Sequence, residues 1–150
     1  MIVKTIKVKK VGVVIAACIA ASLFIFLVVY GVAHAYSEEC ITVETEDQRQ
    51  SFIKEMGWEV DSSFSETSDA KIPVEFGDVY EQYNEIQKQQ GFDLEKYKGK
   101  EIKIYTYKVT NYPSERDNIY MNLMVFEGRL IGGDVSCNEL DGFMQGLKKQ

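Results

Sequence analysis

The sequence of 150 residues predicts a small α+β domain that follows an N-terminal transmembrane helix. An apolar run without a single charged side chain covers residues 11–32. Beyond it, apolar residues recur at helical spacing in two segments, and further on they alternate with a period of two in residues 101–112 and 119–126. We therefore expect two main helices packed on an antiparallel meander of three to four strands.

The apolar run has the length and the flanks of a membrane anchor. As a helix its residues would span roughly 33 Å, against about 30 Å for the hydrocarbon core of a bilayer. Four lysines precede it, Lys4, Lys7, Lys9 and Lys10, and the acidic residues begin only at Glu38. The positive-inside rule then places the N-terminus in the cytoplasm. The predicted organisation is a cytoplasmic basic segment (residues 1–10), a transmembrane helix or uncleaved signal anchor (11–35) that contacts membrane lipid through residues 11–32, and an extracytoplasmic domain (36–150).

Two other uses of this segment stay open. The sequence Ala33-His34-Ala35 fits the small-x-small pattern of a signal peptidase site, and cleavage after Ala35 would release a secreted soluble domain. The apolar region of a signal peptide usually has about 7 to 15 residues, which favours retention. Residues 15–18 also fit a loose lipobox, but lipidation of Cys18 would leave a long apolar stretch attached to the modified cysteine. We interpret Cys18 as an ordinary membrane-helix residue.

The charge of the predicted domain excludes nucleic acid as a partner. After residue 35 the chain has 13 basic and 23 acidic residues, for a net charge of −10. Binding to a phosphate backbone needs clustered Lys and Arg. Between residues 96 and 108, the lysines are separated by other residue types. We interpret them as the solvated side of a loop and a strand.

Several catalytic chemistries need a residue that the predicted domain lacks. The single histidine, His34, lies at the end of the apolar segment, so Ser-His-Asp systems, Cys-His systems and His-containing zinc sites are closed to the domain. Paired carboxylates remain as the alternative, as in a hydrolase acting on envelope material, but no pair can be singled out by spacing. We expect no enzyme activity, no cofactor and no metal.

Cys40 and Cys137 are a candidate disulfide if the domain lies outside the cytoplasm. By the loop-entropy model, closing so long a loop would stabilise the fold by up to roughly 4 to 5 kcal/mol. Two unpaired thiols are the alternative, because the sequence does not give the distance between the two Cα atoms.

Helix signals are clear at two places. Thr45 and Gln48 form a capping-box pattern before Phe52, Ile53 and Met56, and Gly57 ends the segment. We predict a loop over residues 61–69, because Ser, Asp, Glu and Thr dominate there, with a short extended piece around residues 70–72. The second helix is expected to be capped by Asp78 and to end at Gly91.

The predicted strands are rich in aromatic side chains, and these motivate the functional hypothesis. With 9 Tyr and 8 Phe in the chain, one small core does not hold every aromatic ring. Tyr105, Tyr107, Tyr120 and Phe126 lie either under a helix or on a candidate surface for a protein, peptide or envelope component outside the cell. A noncatalytic binding or accessory domain is therefore the expected function.

The glycines and acidic residues of residues 132–142 have two interpretations. Their oxygen atoms could bind calcium, but the spacing does not match an EF-hand loop. A turn followed by a helix cap is the simpler interpretation of this segment.

Four motifs in order resemble a bacterial family catalogued as a domain of unknown function. They are IPVEFGDVYEQYNEIQKQQGFDLEKYKGK at residues 72–100, YTYKVTNYP at 105–113, GGDVSC at 132–137 and DGFMQGL at 141–147. The resemblance covers nearly all of the chain after the anchor. It implies a small secreted or membrane-anchored domain of Gram-positive-type bacteria, and it implies no activity and no catalytic residues.

Overall fold

The computed structural model describes residues 21–26, 40–114 and 116–149. The chain divides into two compact units, Met1–Glu39 and Cys40–Gln150. In the first unit, residues 21–26 are helical and exposed. The rest of the predicted anchor and the basic segment before it lie outside the described residues. No helix in the described part of the chain is long and apolar enough to cross a membrane.

The second unit is an α+β domain with three helices and a five-stranded antiparallel sheet. The helices are α1 (Glu46–Glu55), α2 (Asp78–Lys88) and a 3-10 helix (Leu94–Tyr97). The strands are β1 (Val60–Lys71), β2 (Glu101–Val109), β3 (Ile119–Phe126), β4 (Arg129–Cys137) and β5 (Met144–Gln145). Each strand pairs with the next one along the chain, so the sheet is a simple meander. The predicted α+β class is confirmed, and the sheet has more strands than the three to four expected.

A helix packs on each face of the sheet. The face under α1, here called the first face, holds a core cluster that includes Phe52, Ile53, Tyr107, Val109, Met121, Leu123, Val125 and Val135. The face under α2 and the 3-10 helix, here called the second face, holds a smaller cluster with Ile72, Leu94, Ile102, Met124 and Ile131. Successive side chains of a strand point to opposite faces, which explains why neighbouring apolar residues of β2 and β3 enter different clusters.

Local sequence signals account for α1. The side chain of Thr45 accepts a hydrogen bond from the backbone of Gln48, and the side chain of Gln48 accepts one from the backbone of Thr45. These two bonds form the predicted capping box. After the helix, Gly57 has φ 91°, a conformation that favours glycine.

Side-chain amides hold α2 against β4. The Oε1 atom of Gln87 accepts a hydrogen bond from the backbone nitrogen of Gly133 (2.8 Å), and the Nε2 atom of Gln90 donates one to its carbonyl oxygen (3.1 Å). A Cβ atom at position 132 would lie only 2.8 Å from Oε1 of Gln87, so this close approach of α2 to β4 favours glycine. The predicted cap is shifted by one position: Gly77 is the N-cap and Asp78 is the first helical residue.

The loop predicted for residues 61–69 is wrong, because these residues belong to β1. This strand lies at one edge of the sheet, and its register with β2 shifts between Val60 and Ser65. Most of its side chains are exposed. An edge strand with solvated side chains needs no apolar residues, since backbone hydrogen bonds to β2 define it, and this is why its composition is typical of a loop.

Residues 147–149 attach the C-terminal segment to the rest of the domain. The indole Nε1 of Trp58 donates a hydrogen bond to the carbonyl of Leu147, whose backbone nitrogen donates to Oε1 of Gln90 (2.6 Å). The backbone nitrogen of Lys149 donates to the carbonyl of Met56 (3.1 Å). The C-terminal segment therefore binds both to the end of α1 and to the end of α2.

Candidate functional site

The four aromatic residues of the candidate binding surface do not form one surface. Tyr107 lies opposite Met121 in the sheet, and Tyr105 lies opposite Leu123, so both belong to the first face. Tyr120 and Phe126 are even-numbered residues of β3 and point to the second face. The predicted surface is therefore divided between the two sides of the sheet.

Tyr107 and Tyr105 belong to a structural cluster around Arg49 of α1. Tyr107 is only 1% exposed, and its hydroxyl accepts a hydrogen bond from Nε of Arg49 (2.9 Å) and donates one to Glu46 (2.9 Å). The guanidinium of Arg49 stacks on the ring of Tyr105, 3.8 Å from its centroid. It also donates to the carbonyls of Val43 and Glu44. These contacts anchor α1 and leave Tyr107 unavailable to a partner.

The charges of this cluster stabilise one another. Burial and the neighbouring carboxylate of Glu46 raise the pKa of Tyr107 to about 12. Partial burial acts to raise the pKa of Glu46, but hydrogen bonds from Gln50, Tyr107 and Arg49 outweigh it and lower that pKa. At neutral pH the cluster therefore contains a carboxylate, a guanidinium and a neutral phenol.

On the second face, Phe126 and Tyr120 have different surroundings. Phe126 packs edge-on against Tyr97 of the 3-10 helix, with 5.6 Å between ring centroids, and is part of the core. Tyr120 packs against Phe64 of β1, with 5.7 Å between centroids, and both side chains are half-buried. Of the four candidates, Tyr120 is the one that lies beside a second group of polar side chains.

Next to Tyr120 lies a hydrogen-bonded polar network. The hydroxyl of Tyr83 donates to Oδ1 of Asp134 (2.9 Å), and Nδ2 of Asn122 donates to Oδ2 of the same carboxyl group (3.0 Å). The hydroxyl of Thr106 donates to Oδ1 of Asn122 (2.8 Å), and Nδ2 of Asn122 also approaches Oγ of Ser136 (3.4 Å). The network thus joins α2 to three adjacent strands, and it fixes the rotamers of its members.

Asp134 is the charged centre of this network. It is 3% exposed, and this burial raises its pKa against the opposing effect of hydrogen bonds from Asn122, Tyr83 and Ser136. Burial also raises the pKa of Tyr83, and the nearby charge of Asp134 adds to the shift. Tyr83 therefore remains a neutral hydrogen-bond donor.

Solvent reaches the second face beyond the network. Tyr120 lies opposite both Lys108 and Ser136, Ser136 lies opposite Met144, and Glu66 lies opposite Thr106. Glu66 and Met144 are exposed, and the other solvent-accessible side chains there are half-buried. We call this region the open half; it consists of Phe64, Glu66, Thr106, Lys108, Tyr120, Asn122 and Met144.

The segment considered for calcium has a different structure. Gly132, Gly133 and Asp134 lie within β4 and not in a turn, whereas the turn that was expected covers residues 138–142. Across residues 40–114 and 116–149, no group of three or more His, Cys, Asp or Glu is placed to hold a metal ion.

The candidate disulfide is not formed. Both cysteines are free thiols; Cys40 is exposed, whereas Cys137 is buried with its sulfur 3.7 Å from the carbonyl oxygen of Asp117.

The polar network was missed at the sequence level, although a signal for it exists. Asn122 interrupts the apolar strand IYMNLMVF, and Asp134 lies within LIGGDVSC. A polar residue inside an apolar strand must find a hydrogen-bonding partner, so two of them predict a buried network. The pairing of Asn122 with Asp134 requires the register between β3 and β4, which alternation alone does not supply.

Comparison with known proteins agrees with the resemblance seen in the motifs. The chain belongs to a family described as a domain of unknown function (DUF4830), which matches residues 52–135. The matched segment extends from α1 to β4 and includes every member of the network except Ser136. No curated protein and no solved structure matches the chain.

Proposed function

We propose that the chain is a noncatalytic binding protein of the cell membrane, whose domain binds a protein or peptide outside the cell through the open half. The observation that carries the proposal is the aromatic pair Phe64–Tyr120 beside a fixed hydrogen-bonding network. Aromatic side chains with a polar end, next to positioned amide and hydroxyl groups, are typical of protein recognition surfaces.

The rigidity of the open half supports this proposal. Asn122 is held by Thr106 on one side and by Asp134 on the other. A side chain that is already fixed loses little conformational entropy when a partner binds. The buried carboxylate therefore serves the surface indirectly, by orienting the amide of Asn122.

The charge of the domain narrows the class of partner. With −10 after residue 35, the domain repels anionic surfaces at long range. The open half itself contains Glu66 and Lys108, and Asp61 interacts with Lys108. A neutral or cationic segment of a protein is accordingly favoured over an anionic envelope polymer.

The location is proposed from the sequence of the first unit. The lysines before residue 11 and the apolar run up to residue 32 favour a retained anchor with a cytoplasmic N-terminus. A secreted domain starting at Tyr36 is the alternative. The intact mass and N-terminal sequence of the chain, recovered from membranes and from medium of its native host, distinguish the two.

The noncatalytic part of the proposal is supported by the surroundings of Asp134. A glycoside hydrolase needs two carboxyl groups that act on one bond. In the described part of the chain, the hydrogen-bonding partners of Asp134 are the neutral side chains Asn122, Tyr83 and Ser136. The alternative of a carboxylate-based hydrolase on envelope material lacks such a pair at this site.

Site-specific photocrosslinking tests the binding surface. A photoreactive phenylalanine analogue would replace Tyr120 in the full chain, in living cells, and the same analogue at Gln82 on the exposed side of α2 would be the control. We expect one defined adduct from position 120, several-fold weaker after Phe64→Ala, and none from position 82. Equal adducts from both positions would contradict the proposal.

A further inference from the structure

A cleft of about 630 Å³ lies between the C-terminal parts of the two helices. Its walls are largely apolar: Phe52 of α1, Ile86 of α2, and Ile41, Met56, Phe92 and Leu147 from the segments beside the helices. The two helices lie on opposite faces of the sheet, and the nearest strand, β5, has only two residues. The short strand leaves the space between the two helices unfilled, and this space is the cleft. Its volume is in the range of ligand pockets.

The mouth of the cleft carries hydrogen-bond donors. Gln89 and Lys148 line it, and both are exposed. Lys149 also lines it, but its ammonium group donates to the carbonyl of Asn111 (2.8 Å). An elongated apolar group with a phosphate-bearing head fits this distribution, because the apolar part would meet the walls and the head would meet Gln89 and Lys148.

The length of chain between the apolar run and the cleft limits how far the cleft can lie from a membrane. Eight residues, 33–40, lie between Val32, the last residue of the apolar run, and Ile41, which lines the cleft. An extended chain covers about 3.5 Å per residue, so Ile41 stays within about 30 Å of the end of that run. If the run is an anchor, the cleft is confined to the vicinity of the bilayer surface.

We infer that this cleft binds one acyl chain of a phospholipid from the outer leaflet. The inference rests on the membrane anchoring in the proposed function. It assigns a ligand to a second site, separate from the open half, and it gives the domain a lipid contact beyond the transmembrane segment.

Photolabelling from the lipid tests this inference. The full chain would be reconstituted into vesicles of zwitterionic phosphatidylethanolamine and phosphatidylcholine that contain a phospholipid with a diazirine in its acyl chain, and the adducts would be mapped by mass spectrometry. We expect adducts in residues 11–32 and also at cleft residues such as Met56, Ile86 and Phe92.

Matched variants on one helix separate cleft binding from a general effect of charge. Ile86→Glu introduces a charge into the cleft and should lower labelling of the cleft about tenfold. Val79→Glu makes the same change on α2 at a residue that is 83% exposed, and should leave the labelling unchanged. Ile86→Trp, which fills the cleft without adding charge, should lower it like Ile86→Glu, whereas Ile86→Met should retain it. Urea unfolding of each variant establishes that it is folded.

The pattern of adducts distinguishes this inference from the proposed anchor. Adducts in residues 11–32 alone would overturn the lipid cleft and leave the anchor intact. Adducts in the cleft alone would support the cleft and contradict the anchor. A chain with neither kind of adduct, or equal losses in Ile86→Glu and Val79→Glu, would overturn the inference.

Discussion

The carboxylate of Asp134 accepts hydrogen bonds from Tyr83 and Asn122 at a position that is only 3% exposed. These hydrogen bonds, together with one from Ser136, do not compensate for the loss of water, since the pKa of this carboxyl group is raised. The charged form of Asp134 is therefore less stable at this position than it would be in water, although its hydrogen bonds are well formed. Its structural effect is to orient the amide of Asn122.

Asp134→Asn should change how stability depends on pH. Because the folded pKa is raised above the unfolded value, the folded state binds more protons between the two pKa values. Stability from this group is complete below the unfolded pKa and is lost as the pH rises through the folded pKa. We expect the free energy of unfolding of the wild type, minus that of Asp134→Asn, to fall as the pH rises above the ordinary aspartate pKa of 3.8, and to level off above the raised folded pKa.

Urea unfolding at several pH values measures this difference. Other acidic groups with shifted pKa values, such as Glu46 and Asp93, are present in both chains and cancel in the subtraction. A difference that stays constant over the range would show that the pKa of Asp134 is not raised.

Arg49→Met should be among the more destabilising single changes in the domain. It leaves the carbonyls of Val43 and Glu44 and the hydroxyl of Tyr107 without their donor in a buried site. We expect a loss of about 2 to 4 kcal/mol in the free energy of unfolding. Lys54→Met, at an exposed position of the same helix, should change it by less than about 0.5 kcal/mol. Similar losses in both variants would show that Arg49 has no special structural role.

At the scale of elements, β1 has the properties of a protected edge strand. It is long, but it presents Asp61, Glu66 and Asp69 to solvent, and its register shifts near its start. Charges and bulges on an edge disfavour pairing with another chain. The composition that made β1 resemble a loop is thus the composition that keeps the edge from aggregating.

Removing this protection should make the chain associate. In the double variant Thr67→Val and Asp69→Val, the edge gains apolar residues with high strand propensity and loses the ion pair between Asp69 and Lys103 (2.9 Å). We expect concentration-dependent self-association in sedimentation experiments. The same two valines at Gln82 and Glu85, on the exposed side of α2, should leave the chain at its original size; association of both variants would show that the edge is not the cause.

Elements whose apolar pattern matches their final environment could be predicted from the sequence. The capping box of Thr45 and the range of β3 agree with the structure, because burial on one side of a helix or on two sides of a strand leaves a periodic pattern. Strand β1 and the pairing of Asn122 with Asp134 could not be predicted, because both depend on which strand lies beside which. The division of the four aromatic candidates between the two faces follows from the alternation of side chains within each strand. Only the register between β2 and β3 was needed in addition, to show which residues of the two strands share a face.

For the whole molecule, the two thiols of the domain offer a test of its side of the membrane. Cys40 is exposed and Cys137 is buried. With Cys18 replaced by serine, variants that keep only one of the two would be treated with a membrane-impermeant maleimide on intact cells. We expect Cys40 to react without lysis, and Cys137 to react only after unfolding in urea. Reaction of Cys40 only after lysis would place the domain in the cytoplasm.

The hydrogen bonds from Trp58 and Gln90 to Leu147 also determine when the domain completes its fold. Leu147 is 2% exposed and belongs to the same core cluster as Phe52 and Trp58. During synthesis Trp58 emerges long before Leu147, which lies 89 residues further along the chain. Until Leu147 has emerged, the core cluster lacks this side chain and Trp58 lacks its hydrogen-bond acceptor, so the nascent domain is incompletely packed. Stable folding of the domain is thereby delayed until the segment that contains Leu147 has been synthesised.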